Sequence, residues 1–156
     1  MTITLERPAA TAAAEPRDPA ELVPDETFAK LVRYATEHFK VHRFYAADGV
    51  RQMLLYLKAV CLNPGVRLVP DVSVDLFWHA FLMHTQEYEQ FEHEHNDDRR
   101  LHHVPIMLED ISSGAAMERT IPLLIASGFA FDTKWWETGE SCCPPNPPIP
   151  CNGDPE

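Results

Sequence analysis

Apolar residues recur at helical spacing along most of the chain, and this pattern limits the fold more than any other feature. In DETFAKLVRYATEHF (25–39) one helix face collects Phe28, Leu31, Val32, Ala35 and Phe39. The stretch FYAADGVRQMLLYLKAVCLNPG (44–65) repeats the pattern and stops at Asn-Pro-Gly. No internal repeat or parallel-sheet pattern accompanies them. The sequence therefore predicts an all-α fold, a small orthogonal or irregular bundle of four to five helices.

A third periodic stretch, SVDLFWHAFLMHTQEYEQF (73–91), reads as one helix that is capped by Asp71 or Ser73. An extended connector, VRLVPDVS, precedes this helix, because Pro70 disfavours helix at the residue before it. The polar run EHEHNDDRRLHHVP after it predicts a loop. The core-facing stripe of the helix is predicted to contain Val74, Phe77, Trp78, Phe81, Thr85 and Tyr88.

A last helix is predicted from about residue 115 to 127. Gly128 is its expected stop, and Pro122 predicts a kink or a break into two short pieces. Trp135 and Trp136 follow and are expected to close one end of the core.

Composition changes at both ends of the chain. Residues 1–24 are rich in Ala and Pro and lack a sustained apolar period, so we predict a disordered N-terminal arm. Residues 25–136 hold the helical segments and have the length of one domain with one core. The tail 137–156 includes ESCCPPNPPIPCNGDPE, whose prolines exclude helix and central strand, and it is predicted to be disordered.

The chain is acidic, with 13 Lys and Arg against 24 Asp and Glu and a formal net charge of -11. This charge argues against nucleic acid and anionic lipid as partners, and no local basic patch offsets it. No apolar run approaches the roughly 20 residues that span a bilayer, and the N-terminus lacks the pattern of a secretion signal. We therefore expect no membrane association and a cytoplasmic location.

The candidate site lies on the third helix. Asp75 and His79 are four residues apart, so their side chains meet on the helix surface. His102 and His103 follow a loop long enough to fold back along that helix, and Pro105 would stiffen the approach. Three imidazoles, or two with Asp75, would make a Zn²⁺ site with an open position. At most one of the adjacent histidines is expected to face His79, because neighbouring side chains in an extended segment point to opposite sides.

Structural roles compete with this interpretation. Asp75 can act in the first turn of the helix while His79 bonds a backbone carbonyl, and His103 can pack against Trp78 while His102 faces solvent. His84 falls on the opposite border of the stripe and is expected to be a satisfied histidine at the edge of the core. The acidic run, with His93 and His95 interleaved, could bind a cation loosely, but a solvated helix face is the more ordinary interpretation. Its members are Glu87, Glu89, Glu92, Glu94, Asp97 and Asp98.

The cysteines divide into two groups. Cys61 lies in an apolar periodic segment and is expected to be a buried thiol. Cys142, Cys143 and Cys151 lie in the tail, where a reducing compartment favours free, metal-binding or modified thiols over a disulfide framework. A polyproline II stretch would hold Cys143 and Cys151 about 25 Å apart.

The segment LVPDVSVDLFWHAFLMHTQEYEQF and the later LHHVP resemble the bacterial stand-alone form of the family named after plant glycine-rich domain-containing proteins. The family pattern, Val-Asp-x-x-Trp-His, then Thr, Tyr-x-x-Phe and His-His-x-Pro, covers a region of about 25–136. The chain has Glu92 where the family usually has cysteine, so no cysteine ligand is available there. The resemblance implies a helical fold and no particular reaction. Its matching positions are Val74, Asp75, Trp78, His79, Thr85, Tyr88, Phe91, His102, His103 and Pro105.

Three functions fit these features. The first is a small binding or regulatory module that holds a divalent metal, with zinc preferred, through Asp75, His79 and His102 or His103. The second is a metal-dependent hydrolase using the same site; it ranks lower because no separate base, oxyanion donor or pocket is visible in the sequence. The third is a carrier or precursor whose Cys- and Pro-rich tail is modified, binds metal or is recognised by a protein partner.

Overall fold

The computed structural model describes residues 14–104 and 114–137. These residues form an all-α bundle, as predicted, with an isolated bridge between Arg17 and Phe129 as the only β-type pairing in the described ranges. Two short 3₁₀ turns, Pro19–Leu22 and Thr133–Trp135, flank the helices. The helices are α1 (Asp25–Phe39), α2 (Arg43–Leu62), α3 (Val72–Leu82), α4 (Thr85–His95) and α5 (Ala115–Ala126).

Helix α2 forms the centre of the bundle. It packs against α1, α3, α5 and the first 3₁₀ turn, so its side chains are buried on several sides. Met53, Leu54, Leu55 and Leu57 are completely buried. A helix that is apolar around most of its circumference suits this central position.

The predicted ends of α1 and α5 are confirmed. Lys40 closes α1 in the left-handed region, with φ 57°, and Gly128 follows α5 with φ 83°. Helix α5 runs unbroken through Pro122, so the expected division into two pieces is wrong. The buried Leu124 and Thr120 lie on either side of this proline and hold the helix against the core.

The prediction of one helix over residues 73–91 is wrong, because the helix is divided at Met83 and His84. The amide of His84 bonds to the carbonyl oxygen of Phe81 at 2.9 Å, which ends α3, and α4 starts at Thr85. The bend brings Tyr88 and Phe91 onto Phe81, with ring centroids 5.1 and 5.8 Å apart. Thr85 consequently lies exposed instead of in the buried stripe, and α4 continues past Phe91 to His95.

The prediction of a disordered arm that extends to residue 24 is wrong for residues 14–24. The Arg17 amide donates to the Gly128 carbonyl at 3.0 Å, and the Arg17 carbonyl accepts from Ala130 at 2.8 Å. Leu22 and Val23 are buried in the core. This segment escaped the sequence analysis because two apolar residues are too few to show a period. Residues 1–13 and the tail from 138 onward lie outside the described residues.

Other expectations about the core hold. Trp135 and Trp136 are buried, and the Trp136 indole donates to Oε1 of Gln52 on α2 at 3.0 Å. Cys61 is buried, and burial raises the pKa of its thiol to about 11. Among the described residues, no helix has both the length and the apolar character needed to cross a bilayer.

Candidate metal centre

Helix α3 places two polar side chains at the edge of the core. Asp71 caps the helix, since its Oδ1 accepts from the Ser73 amide at 2.9 Å. Phe77 and Trp78 then face inward and are buried, which fixes the rotation of the helix. Asp75 and His79 therefore lie together at the border of the buried face, as their spacing predicts.

The return segment, residues 96–104, brings a third polar side chain to the same place. It begins with a tight turn in which Asp97 and Asp98 have φ values of 52° and 59°. Oε1 of buried Glu92 accepts from the Leu101 amide at 2.7 Å. The Tyr88 hydroxyl donates to the Leu101 carbonyl oxygen at 2.8 Å. Helix α4 thus holds both the amide and the carbonyl group of Leu101, which lies two positions before His103.

The hydroxyl of Tyr88 joins α3 to the return segment. It accepts from the Trp78 indole N–H at 3.0 Å while it donates to Leu101. Burial raises the pKa of Tyr88 above its usual value, so the hydroxyl keeps the proton that it donates. These two hydrogen bonds fix Trp78, the residue before His79, relative to the return segment that carries His103.

Asp75, His79 and His103 converge on one point, and together they are called the metal centre below. Nε2 of His103 lies 2.7 Å from Oδ1 of Asp75. Nε2 of His79 lies 3.3 Å from Oδ2 of Asp75 and 3.1 Å from Nε2 of His103. The same nitrogen of each ring therefore faces both the carboxylate and the other ring. Asp75 is therefore placed to act as a third metal ligand beside the two imidazoles. It does not hold either ring through the nitrogen that points away from the centre.

While the Asp75 carboxyl is ionised, no arrangement of protons on the two imidazoles satisfies all contacts of this cluster. If both Nε2 atoms carry hydrogen, the two N–H groups oppose each other at 3.1 Å. If only His103 carries it, the lone pair of His79 Nε2 faces a carboxylate oxygen at 3.3 Å. A cation at the centre would instead be attracted to every one of these lone pairs.

The distances suit a small cation. Ligand atoms about 2.0–2.1 Å from a tetrahedral zinc ion lie about 3.3–3.4 Å from one another. The two contacts of His79, at 3.1 and 3.3 Å, are close to this spacing, and the 2.7 Å contact between His103 and Asp75 requires a small widening. The side chain of Asp75 is 6% exposed, that of His103 is 11% exposed and that of His79 is 40% exposed. The centre is therefore open to solvent on the His79 side.

The four predicted site residues do not all meet. His103 joins the centre and also packs against Trp78, with ring centroids 4.3 Å apart, so both roles considered for it are fulfilled together. His102 is exposed and is not part of the cluster. His102 faces solvent, as the competing structural interpretation expected. The tail thiols of Cys142, Cys143 and Cys151 lie outside the described residues.

The remaining histidines of the helices have structural partners. His84 contacts the Ala80 carbonyl oxygen through Nδ1 at 2.7 Å, as expected for a residue at the core edge. His42 caps α2 by accepting from the Phe44 amide at 3.3 Å. Nε2 of His95 lies 2.7 Å from the Leu22 carbonyl oxygen. These contacts leave the metal centre as the only group of three or more metal-binding side chains in the described part of the chain.

The role of Glu92 was not predicted, because this residue was expected to belong to a solvated acidic run. Glu92 is 3% exposed, and its two oxygens accept from the Leu101 amide and from Arg100. A signal existed in the sequence, since Glu92 follows Tyr88 by four residues and so shares its buried face. The other acidic residues of the run that lie on the surface are Glu89, Glu94, Asp97 and Asp98.

Comparisons of the chain with protein-family models, with curated proteins and with solved structures find no match. The similarity to glycine-rich domain-containing proteins stays a prediction from the sequence motif.

Proposed function

We propose that this chain is a small cytoplasmic binding or regulatory module that holds one divalent metal ion, zinc by preference, through Asp75, His79 and His103. The observation that supports the proposal is the convergence of Nε2 of both histidines and the carboxylate of Asp75 within hydrogen-bonding distances of one another. Around an ionised Asp75, protons on the two imidazoles leave at least one unfavourable contact, whereas a cation would be attracted to all three side chains.

Zinc fits the donor set better than calcium or magnesium does. Imidazole nitrogen suits zinc and other late first-row metals, whereas calcium and magnesium prefer oxygen ligands. Two nitrogens and one carboxylate give three protein ligands, which leaves a tetrahedral ion one position for water or another ligand. Because His79 is 40% exposed, that position can be reached from solvent. Such a site can capture a small ligand.

The open position also supports a second candidate function, metal-dependent hydrolysis. A metal ion can lower the pKa of its bound water to about 7 and so supply a nucleophile at neutral pH. If this function holds, a broad screen with ester, amide and phosphoester substrates gives turnover that disappears in His79→Ala. Absence of turnover in zinc-loaded protein leaves the binding module as the proposed function.

The metal content of purified protein tests the binding proposal. We expect about one equivalent of zinc in the wild type after dialysis, and at least ten- to a hundredfold weaker zinc binding in His79→Ala and Asp75→Ala, as for the loss of other metal-site residues. His102→Ala is the matched control, because it removes the neighbouring, exposed imidazole and leaves the centre intact.

Elemental analysis and zinc titration calorimetry give the result, with circular dichroism to show that each variant is folded. Acidification should release the ion, because imidazole must be neutral to bind metal. A folded wild type that takes up no zinc in the titration, or a His79→Ala variant that binds as tightly as wild type, contradicts the proposal.

A further inference from the structure

A cavity of about 200 Å³ lies next to the metal centre. Its walls come from the second half of α2, from the extended connector 66–70, from Trp78 on α3 and from residues 102–104. His103 and Trp78 belong to these walls, so an occupant of the cavity would lie beside a residue of the metal centre. Because ligand sites for drug-sized molecules measure roughly 300–1,000 Å³, this cavity suits a small molecule.

The inner surface of the cavity is mainly hydrocarbon. Most of its lining residues are aliphatic, and the rings of Tyr56 and Trp78 lie 5.4 Å apart among them. The polar atoms of these rings are directed to partners within the protein. The Tyr56 hydroxyl donates to the Leu68 carbonyl at 3.2 Å, and the Trp78 N–H donates to Tyr88 at 3.0 Å. The rings therefore offer apolar faces to an occupant.

Arg67 is a lining residue of the cavity and is exposed to solvent. It is the one lysine or arginine among the described lining residues, which include no Asp or Glu. Within the described ranges its guanidinium forms no ion pair, while its carbonyl oxygen accepts from Arg119 at 2.9 Å. In a chain with a net charge of -11, an apolar cavity whose described lining includes one arginine and no carboxylate is a local place where an anion can be accepted.

We propose that this cavity binds a small hydrophobic carboxylate, of the size of an arylacetic or branched-chain acid. The carboxylate pairs with Arg67, and the apolar body lies between Tyr56, Trp78 and His103. The body thereby lies next to the metal centre, a placement that rests on the proposed function. The chain thus combines a cation site with an adjoining pocket for an organic acid.

Calorimetry and ¹H–¹⁵N NMR with phenylacetate as the probe test this inference. We expect saturable binding, with shifts in the amides of residues 66–69 and 102–104. Arg67→Ala should weaken binding about tenfold or more, since a charge-assisted hydrogen bond contributes about 1.5–3 kcal/mol. Phenylacetamide, which lacks the charge, should bind more weakly than phenylacetate. Arg33→Ala is the matched control, because Arg33 is an exposed arginine of another groove, between α1 and α2.

The inference is separable from the proposed function if each titration is repeated with zinc-loaded protein, with EDTA-treated protein and with His79→Ala. Phenylacetate binding that depends on Arg67 but persists without zinc supports the cavity even where the metal proposal fails.

If neither phenylacetate nor isovalerate shifts the cavity amides of folded protein, or if Arg67→Ala binds as well as wild type, the inference is overturned. Zinc uptake through His79 would stand in either case.

Discussion

Gly49 of α2 faces the ring of Phe77 on α3, and a β-carbon at this position would overlap that ring. The position has ordinary helical geometry, so the glycine is required by packing and not by backbone conformation. The close approach of α2 and α3 at this point sets how deeply the helix that carries Asp75 and His79 sits on the core.

We predict that Gly49→Ala destabilises the protein by about 1–3 kcal/mol, the usual cost of overpacking, although alanine is the better helix former by about 1 kcal/mol. Urea denaturation measures the change. Adding Phe77→Leu should recover part of the loss, because it removes the ring that clashes. A Gly49→Ala variant as stable as wild type would show that the two helices are less closely packed than described.

Single residues of the site were predictable to different extents. The contact between Asp75 and His79 follows from a spacing of four residues on a helix. The choice between His102 and His103 does not follow from sequence, because extended geometry shows only that one of them faces the helix. Which of the two histidines faces the helix depends on Leu101, whose backbone groups are held by Tyr88 and Glu92. That tertiary contact is not encoded in any local pattern.

At the scale of elements, the bend between α3 and α4 does most to form the site. It turns α4 so that Tyr88 and Glu92 can bond to the return segment. The sequence predicts helix on both sides of residues 83 and 84, and helical periodicity alone cannot show where the axis changes direction. The ends of α2 and α5 were easier to predict, because Asn63-Pro64-Gly65 and Gly128 are local stop signals.

Tyr88→Phe tests whether α4 positions the return segment. Removing the hydroxyl leaves the Trp78 indole N–H and the Leu101 carbonyl oxygen without their partner in a buried place, which should cost about 1–3 kcal/mol of unfolding free energy. We also expect weaker zinc binding, because His103 is then less firmly held. Denaturant unfolding and zinc calorimetry provide the two measurements.

Tyr34→Phe is the control for this variant, since the Tyr34 hydroxyl makes no hydrogen bond within the described ranges. It should leave both quantities close to those of wild type. Unchanged zinc affinity in Tyr88→Phe together with the expected loss of stability would mean that His103 is positioned by other contacts, such as its packing on Trp78.

At the scale of the whole molecule, the N-terminal segment 14–24 and α4 are joined through His95. Nε2 of His95 lies 2.7 Å from the Leu22 carbonyl oxygen, and its Nδ1 lies 3.4 Å from Nζ of Lys58. Burial, opposed by the bond to Leu22 and reinforced by Lys58, lowers the pKa of His95. The neutral ring therefore belongs to the folded state, and protonation destabilises that state because the charged ring is buried and is repelled by Lys58.

The sign of the resulting pH dependence follows from this lowered pKa. The unfolded chain binds a proton at His95 more readily than the folded protein does, so the contribution to stability is present above pH 6.5 and is lost as the pH falls through the folded pKa. We predict that His95→Gln, whose amide can still donate to Leu22, loses less stability than wild type below pH 6.5. Urea denaturation at a series of pH values measures this.

His93→Gln is the control for this pH series. His93 is exposed, and its hydrogen bond to Asp98 raises its pKa, so its contribution has the opposite sign. The His93→Gln variant should therefore lose unfolding free energy on acidification at least as steeply as wild type. A His95→Gln profile that parallels wild type throughout would place the acid sensitivity in other groups, including the metal centre.

The contact between Asp75 and His103 spans 28 positions of the sequence. An ion bound there would act as a removable crosslink between α3 and the return segment, and because the unfolded chain has no preformed site, its binding free energy would add to the free energy of unfolding. The apolar interior between α2 and α3 contains none of the ion's ligands, so chelation should loosen the tether without dissolving the bundle. Metal supply in the cell would then adjust how long the chain resists unfolding, quite apart from any chemistry at the ion.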